Sequence, residues 1–367
     1  MSRVEFATAV TASSLTAAVA GLFRAAGADA ERAELVAASL VDADREGVSS
    51  HGVMLAPMYV DRLRAGSVDP AADPEVVRDR DAVAVMDGRH GFGQVTGDAA
   101  MELAVGKALR FGVGVVAVRH GFHFGMARRY ALSAASRSCV GIVSCNTRPL
   151  MPAPGGAERM VGNNPIAIAF PSAGEVPVVL DIALSEAAMG KVRMADAAGE
   201  PIPDTWATDS DGVPTTEPAA AISGMLLPVG GHKGFGLAFM LDLLAGVLSG
   251  GAWGDAVSPL YGDPAVPYDA SHFFLAVHAD HFRPASEVEA EVQAAAERIR
   301  RSRPAPGNER VFSPGQPEWE RRRRAGEAVG VDPAVLRSLA ETAAGMGIDP
   351  PDLEYVEPTQ GGDDAQT

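Results

Sequence analysis

The sequence is poor in the features that would assign a protein of this size to several common classes. Its 367 residues include only two cysteines, too few for a disulfide framework and without the CxxC pairs of zinc sites. Lys and Arg number 31 against 47 Asp and Glu, which gives a formal net charge of -16. An acidic exterior repels phosphate backbones and anionic lipid heads. We therefore expect neither nucleic acid nor membrane as a partner, and we expect a reducing, cytoplasmic location.

Long hydrophobic runs are also missing. No run of 18 apolar residues is free of charge, and the apolar stretch 237–247 still contains Asp242. The charge-free stretch 7–23 is diluted by Thr and Ser, and Glu5 stands where a secretory leader would be basic. After a Thr11 cap, its apolar residues are spaced as one face of a helix: Leu15, Val19, Leu22 and Phe23. This pattern predicts a folded amphipathic helix and no membrane span.

The chain length predicts two or three domains, and the pattern along the chain alternates between strand and helix. A second helix should open at Asp29. Helices are also predicted over 98–110, 126–137, 234–248, 287–300, 318–324 and 332–346. Short β-branched runs between turn residues predict strands over 83–86, 113–118, 140–144, 166–170, 178–180 and 273–277. This alternation is typical of an α/β layer architecture, with helices from both chain ends packed together.

Two glycine-rich segments could approach a dinucleotide. Residues 91–97 read GxGxxxG between a strand and a helix, as in a dinucleotide fingerprint. Four residues separate this motif from its strand, and Arg119 stands where an acidic residue would be expected. A tight turn that begins a helix is the better interpretation. Residues 230–236 place glycines, His232 and Lys233 at a helix start, which suits a phosphate group or a packing turn.

Histidines and polar loop residues supply candidate chemistry. His51 follows Ser50 at a helix end, with Tyr59 one helical stretch further, and such a histidine can move a proton to or from a substrate oxygen. His120 and His123 follow a strand, where α/β proteins place ligands. They could also bind a metal or be structural. A cluster of Asn, Thr and Gly around residues 146–165 contains two arginines that could bind a carboxylate: Arg148 and Arg159.

Taken in order, these segments resemble the malate/L-lactate dehydrogenase family of the non-Rossmann type. The motifs are Ser50-His51-Gly52, His123-Phe124-Gly125, Pro154-Gly155-Gly156, Gly162-Asn163-Asn164-Pro165, Leu180-Asp181-Ile182-Ala183, Gly190-Lys191, Ile202–Ala207, Gly212–Thr216, Lys233–Gly236 and Pro314-Gly315-Gln316. Each motif alone is weak, but their fixed order over about residues 10–345 is specific. Residues 202–207 and 303–307 look most similar to the ureidoglycolate dehydrogenase branch.

The resemblance implies an NAD(P)-dependent dehydrogenase, usually a homodimer, that acts on the CH–OH group of small 2-hydroxy acids or reduces related 2-oxo or cyclic imino acids. The implied fold is a three-layer α/β/α core with a mixed sheet, similar to L-sulfolactate dehydrogenase and not Rossmann, plus a helical domain from both termini. On this division, residues 1–78 and 311–358 form the helical domain, residues 79–310 bind NAD or NADP, and residues 359–367 are a disordered tail.

The resemblance also implies roles for residues of this sequence. Proton transfer is expected of His51 with Ser50, or of His123. The cofactor is expected to contact Thr147, Asp181, Ile182, Ala183, His232, Lys233, Gly315, Gln316 and Pro317. The substrate is expected near Arg148 and Tyr59, and no metal is implied.

Two departures from the family pattern concern the substrate and the proton relay. Leu55 stands where many relatives have a carboxylate-binding Arg, and Lys191 stands where some have an acid. We expect Arg148 to bind the carboxylate instead. Three further alternatives stay open at this stage. One is reduction of a cyclic imino acid or a diketo acid on the same fold. Another is a metal-dependent lyase or hydrolase that uses His120, His123 and a carboxylate, and the third is a non-catalytic binding protein of the same fold.

Overall fold

The fold was obtained as a computed structural model, which describes residues 8–350 and 352–357. The predicted tail, 359–367, lies outside the described residues. The helices are α1 Ala12–Ala25, α2 Ala30–Arg45, α3 Ala56–Ala65, α4 Gly93–Phe111, α5 Ala127–Ala135, α6 Met189–Ala198, α7 Pro218–Ser223, α8 His232–Asp242, α9 Ala285–Arg300, α10 Gln316–Ala325 and α11 Pro333–Gly345. The strands are β1 Ala9–Thr11, β2 Glu75–Arg80, β3 Val83–Asp87, β4 Val113–Gly121, β5 Cys139–Cys145, β6 Met151–Pro152, β7 Arg159–Val161, β8 Ile166–Phe170, β9 Val178–Ile182, β10 Ala207–Thr208, β11 Met225–Leu226, β12 Ala270–His278, β13 Ala328–Gly330 and β14 Tyr355–Val356.

Helices from both ends of the chain share one core. The side chains of Thr11 and Asp29 accept hydrogen bonds from the first turns of α1 and α2, so both predicted caps are confirmed. The predicted stripe of α1 is buried in a core with residues of α2, α3 and α11. Strand β1 pairs with β13 and β14, which joins the N-terminal and C-terminal segments directly.

A seven-stranded mixed sheet forms the centre of the molecule, in the order β2-β3-β4-β12-β5-β8-β9. Only β3 and β4 are parallel, connected by a crossover through α4, and every other neighbouring pair is antiparallel. A Rossmann sheet is mostly parallel. The expected α/β architecture with a mixed, non-Rossmann sheet is therefore confirmed.

Both faces of this sheet are covered. Helices α4 and α5 pack against the face that carries Phe274 and Ala276 of β12. The opposite face contacts a short π-helical segment, Leu243–Val247, that continues α8. A third cluster of buried side chains joins α6, α7 and α8 to the short strands around them. The π-helical segment thus places the end of α8 against the strands whose ends carry the candidate site.

Some elements carried too little sequence signal to be predicted. Strand β2 is exposed along its whole length and contains Arg and Asp, as an edge strand does. The sequence pattern also predicts none of the helices α3, α6 and α7. The glycines of the 91–97 motif serve packing: a Cβ at Gly93 would overlap the carbonyls of Phe122 and His123, and one at Gly97 would meet the Tyr130 ring. Among the described residues, no helix is long and apolar enough to cross a membrane.

Candidate active site

Two histidine side chains from different parts of the chain face each other. The ring centroids of His51 and His123 are 5.5 Å apart and the rings are inclined by 29°. His51 lies in a short 3-10 turn, Ser49–His51, after α2, and His123 lies in the loop between β4 and α5. The fold therefore brings together the two histidines that the sequence offered as alternatives.

Each imidazole is held from behind by a hydroxyl group. The Oγ of Ser50 lies 3.0 Å from Nδ1 of His51. The phenol oxygen of Tyr59 lies 2.7 Å from Nδ1 of His123 and 3.1 Å from its carbonyl oxygen. Nε2 of Gln94 donates to the same phenol oxygen at 3.1 Å. Tyr59 is fully buried, so its hydroxyl contacts His123 and not the solvent-accessible space that a substrate would occupy. Gln94, a residue of the 91–97 glycine motif, completes this hydrogen-bond network.

Burial keeps the imidazoles of this site neutral. Desolvation lowers the pKa of His51. Desolvation, together with charge repulsion from the nearby His51 and His272, lowers the pKa of His123 to about 3. Burial also lowers the pKa of His272, which stacks on Phe124, to about 4. Near neutral pH each of these rings carries a free lone pair.

Arg148 is a partly buried cation in the loop after β5. No hydrogen bond or ion pair of its guanidinium is found among the described residues, and burial together with Arg159 and Arg193 lowers its pKa. Tyr268 interacts electrostatically with Arg148, and its ring lies 6.3 Å from that of Phe122, next to His123. A desolvated guanidinium without an anionic partner favours a bound carboxylate.

The guanidinium of Arg159, unlike that of Arg148, has hydrogen-bond partners within the protein. Its guanidinium donates to the carbonyls of Ile222, Ser223 and Gly224, where α7 ends. The interpretation of Arg159 as a second carboxylate fork is therefore wrong, because its donors are already used to cap a helix.

Thr147 lies at the end of β5 in a dense network of amide groups. Its hydroxyl donates to Oδ1 of Asn163 at 3.0 Å, and its backbone N–H donates to Oδ1 of Asn164 at 2.9 Å. The adjacent Asn146 donates to Asp242 at 3.0 Å, and this buried carboxylate accepts the backbone N–H of Gly254. These bonds connect the end of β5 to the π-helical segment and fix the loop that carries Arg148.

The stretches expected to contact a cofactor lie along β9 and just after it. A Cβ at Gly315 would press against Val179, two residues before Asp181, and the N–H of Val179 donates to Pro314 at 3.3 Å. On the other side, Leu184 accepts from Val229, which precedes the glycines at 230 and 231. Leu184 also donates to Asn163, the partner of Thr147. Residues 163, 184, 229 and 315, which are distant in sequence, thus lie around the same part of the structure, at β9.

The chemistry of this region fits a dinucleotide. Gly230 and Gly231 have φ of +60° and +65°, and a Cβ on either would meet open space. Helix α8 follows them with no side-chain cap, and Lys233 is exposed in its first turn. A helix N-terminus without a side-chain cap and an exposed lysine together favour an anionic phosphate. A cavity of about 380 Å³ borders Gly231, His232, Gly156 and Gly212.

Asp181 connects this region to the helical domain. Its Oδ2 accepts the backbone N–H of Arg128 at 2.9 Å, and the Arg128 guanidinium lies near Glu46 of α2 and Glu318 of α10. Burial and the two neighbouring glutamates raise the pKa of Asp181 to about 6. The strand end and the helical domain are therefore linked through one buried arginine.

Other residues singled out by the sequence lie apart from the histidine pair. Nδ1 of His120 lies 2.9 Å from the Asp87 carboxylate, which Arg119 also contacts. Leu55 is buried in the core of the helical domain, and Lys191 is exposed in α6. In the part of the chain that the structure describes, no three His, Cys, Asp or Glu side chains are placed to hold a metal ion. This geometry does not favour the metal-dependent alternative.

Comparison with known proteins decides the family. Residues 10–340 match the family model described as malate/L-lactate dehydrogenase. The chain belongs to this family. It is 38% identical over 333 residues to a malate dehydrogenase of Pyrococcus abyssi, with 88% of this chain and 90% of that protein covered. It is 33% identical to an NAD(+)-dependent ureidoglycolate dehydrogenase of Escherichia coli K12, with 82% and 85% covered.

The solved structures agree with this assignment. The sulfolactate dehydrogenase from Methanocaldococcus jannaschii superposes with a TM-score of 0.87 at 35% identity, over 93% of this chain and 98% of that one. The names of related proteins specify NAD(+) or NADP(+). This member of the malate/L-lactate dehydrogenase family is therefore an NAD(P)-dependent dehydrogenase that acts on a small hydroxy acid.

Proposed function

We propose that the enzyme interconverts a 2-hydroxy acid and its 2-oxo acid between His51 and His123, and that His123 carries the substrate proton. The observation on which this rests is the pair of neutral imidazoles 5.5 Å apart, each with its Nδ1 held from behind. Oxidation of an alcohol needs a base for the hydroxyl proton as hydride leaves the carbon. A neutral imidazole supplies that base.

The hydrogen bonds of Tyr59 assign the free nitrogen of His123. Its phenol contacts Nδ1 and the carbonyl of His123 as well as the Gln94 amide. All three bonds form at once when the phenol O–H donates to the carbonyl and the phenol oxygen accepts from Gln94 and from a protonated Nδ1. Nε2 then has a bare lone pair and accepts the substrate proton. In the reverse direction the same nitrogen returns it.

When bound, NAD or NADP supplies the hydride acceptor or donor. We propose that Lys233, His232 and the N-terminal backbone amides of α8 hold its phosphates. Asp181, Ile182 and Ala183 at the end of β9, Thr147 beside them, and Gly315 with Gln316 and Pro317 would border the rest of the molecule. Arg148 would bind the substrate carboxylate. It would thus serve in place of the arginine that many relatives have at the position of Leu55.

Alanine variants of the two histidines test this assignment. Loss of a proton carrier costs roughly 10²–10⁴-fold in kcat, so His123→Ala should lose about that much. His51→Ala should lose less. Turnover is measured by nicotinamide absorbance with malate, lactate, sulfolactate, ureidoglycolate and piperideine-2-carboxylate, each with both cofactors. The last compound distinguishes imino acid reduction, the named activity of a Pseudomonas syringae relative with a TM-score of 0.81 at 30% identity.

Tyr59→Phe serves as the matched control, because it keeps the ring and removes only the hydroxyl that orients His123. Its kcat should fall between those of the wild type and His123→Ala. A His123→Ala enzyme with wild-type kcat would exclude His123 as the proton carrier. Loss of activity on chelation would instead support a metal-dependent reaction.

We further propose that the enzyme is a cytoplasmic homodimer. Apolar side chains are exposed along one side of α8 and the π-helical segment: Leu237, Met240, Val247 and Leu248. Such a contiguous apolar surface favours burial against a second copy. Cys139 and Cys145 are free and buried, as in proteins of reducing compartments.

A further inference from the structure

Asp44 lies beneath the turn that carries His51. It belongs to the last turn of α2, after which the chain folds back through two 3-10 turns, Ser49–His51 and Val53–Leu55. Its Oδ2 accepts the backbone N–H of Val53 at 2.8 Å. The nearby Ser49 side chain favours the charged form of this carboxyl. The carboxyl thus lies under the turn and is bonded to its backbone at Val53, two residues after His51.

The contact with Gly52 shows how closely this carboxyl fits under the turn. A Cβ at position 52 would overlap the carboxyl group of Asp44. The backbone of Gly52 is ordinary, with φ of −90°, so glycine is needed for the close approach and not for a left-handed conformation. The absence of a side chain at residue 52 lets Asp44 reach the backbone on the far side of the histidine.

We propose that Asp44 is a positioning residue for His51, which it holds opposite His123 by fixing the turn at Gly52 and Val53. This inference rests on the proposed function, because it assigns work to the histidine pair. The only hydrogen bond of the His51 ring among the described residues is to Ser50, which lies on the same turn. The ring therefore depends on its backbone for its distance to His123, and displacement of a reacting group by about 1 Å can cost on the order of 100-fold in rate.

The charged groups around Asp44 have other partners. Arg322 of α10 pairs with Asp42 and Glu46, and Arg128 of α5 lies near Glu46. The side chain of Arg321 lies against Gly47. No ion pair of Asp44 is found among the described residues, so its carboxyl acts on this turn through hydrogen bonding and close packing.

This environment makes the interaction of the Asp44 carboxyl with the His51 turn sensitive to pH. Burial raises the pKa of Asp44 to about 7, although the hydrogen bond from Val53 and the nearby Ser49 side chain favour the charged form. The carboxylate is thus present above this pH and lost below it, and a carboxylate accepts a backbone N–H more strongly than a neutral carboxyl does. The pKa values of His51 and His123 are lowered. A rise in kcat through about pH 7 would therefore report Asp44.

Asp44→Asn is the test, because the amide keeps the size and one acceptor oxygen while it removes the charge. We expect kcat at pH 8 to fall about tenfold with the KM of the cofactor unchanged, and the rise near pH 7 to disappear. Because the raised pKa means that ionisation of Asp44 opposes folding above its unfolded pKa, the Tm at pH 8 should stay equal or increase. Asp29→Asn is the matched control, since Asp29 caps the other end of α2 with one backbone bond.

A second measurement makes the result independent of the substrate. The ring resonances of His51 should shift near pH 7 in the wild type and not in Asp44→Asn. Wild-type kinetics and an unchanged His51 titration in Asp44→Asn would overturn the proposal, as would a kcat that falls only together with Tm. If the wild type turns over none of the acids but His51 still follows Asp44, the proposed function fails and the positioning role stands.

Discussion

The chemical role of single side chains in this enzyme depends on their hydrogen-bond partners. His51 and His123 are ordinary residues in the sequence. Ser50 holds the first, while Tyr59 with Gln94 holds the second. Arg148 and Arg159 show the same dependence. Both are arginines near one loop, but one has no partner among the described residues and the other caps a helix. The partner of each side chain therefore decides whether it is available to a ligand.

Arg148→Ala should raise the KM for the hydroxy acid. Hydrogen bonds to a charged group contribute roughly 1.5–3 kcal/mol, which corresponds to about 10- to 100-fold. The cofactor KM should change little, because the guanidinium is expected to contact the carboxylate. Steady-state kinetics with the preferred acid measure both constants, and Arg148→Lys should recover part of the loss. An unchanged KM for the acid would remove Arg148 from the substrate site.

The side chains of the candidate site lie where helices and strands end. The turn after α2 presents His51, the loop after β4 presents His123, and the end of β5 leads to Thr147 and Arg148. Helix α8 begins at the open glycines and continues into the π-helical segment, where Asp242 binds Asn146. π-Helical turns are rare in proteins overall, and those that occur are often found at functional sites. The position of this one, next to the bond that fixes the helix to the end of β5, is consistent with that pattern.

Arg159→Ala should destabilise the enzyme without a change in substrate KM. The guanidinium donates to the three carbonyls at the end of α7, so its loss leaves them without these donors. We expect a loss of about 1–3 kcal/mol in the free energy of unfolding. Chemical denaturation measures it. Arg283→Ala is the control, because Arg283 pairs with glutamates on the surface and such pairs are worth little. An equal loss in both variants would contradict the capping role.

The assembled molecule joins its two ends around the sheet. Strands β1, β13 and β14 pair across the termini, and Arg128 connects Asp181 at the end of β9 to the two terminal helical segments through Glu46 and Glu318. The -16 charge describes the solvated exterior. Near the proposed ligands, Lys233, Arg148 and the N-terminus of α8 provide positive potential, so two anionic ligands are compatible with an acidic protein.

The proposed homodimer predicts that a charge on the apolar side of α8 reduces association. Met240 and Leu248 are 52% and 59% exposed, and burial of a charge in a dimer interface is costly. The double variant Met240→Lys, Leu248→Glu should therefore shift the mass in light scattering toward the monomer. Phe282→Lys is the control, because Phe282 is 76% exposed on a different part of the surface. Unchanged dimer mass in the double variant would exclude this surface.

Local rules and ordered motifs determined much of this protein from its sequence. The caps at Thr11 and Asp29, the stripe of α1 and the β-branched strands follow from spacing that the chain carries within ten or fifteen residues. The order of the motifs also indicated the family, because each motif occurs at a fixed place along nearly the whole chain.

Tertiary structure decided what depends on neighbours far away in the sequence. It set His123 opposite His51, buried Tyr59 behind it, and used the donors of Arg159 on α7. It also placed Asp44 beneath Gly52 and brought Gly315 against the strand that ends at Ile182. The physical reason is that hydrogen-bond partners and desolvation are properties of packed groups, and a sequence pattern records neither until the chain has folded.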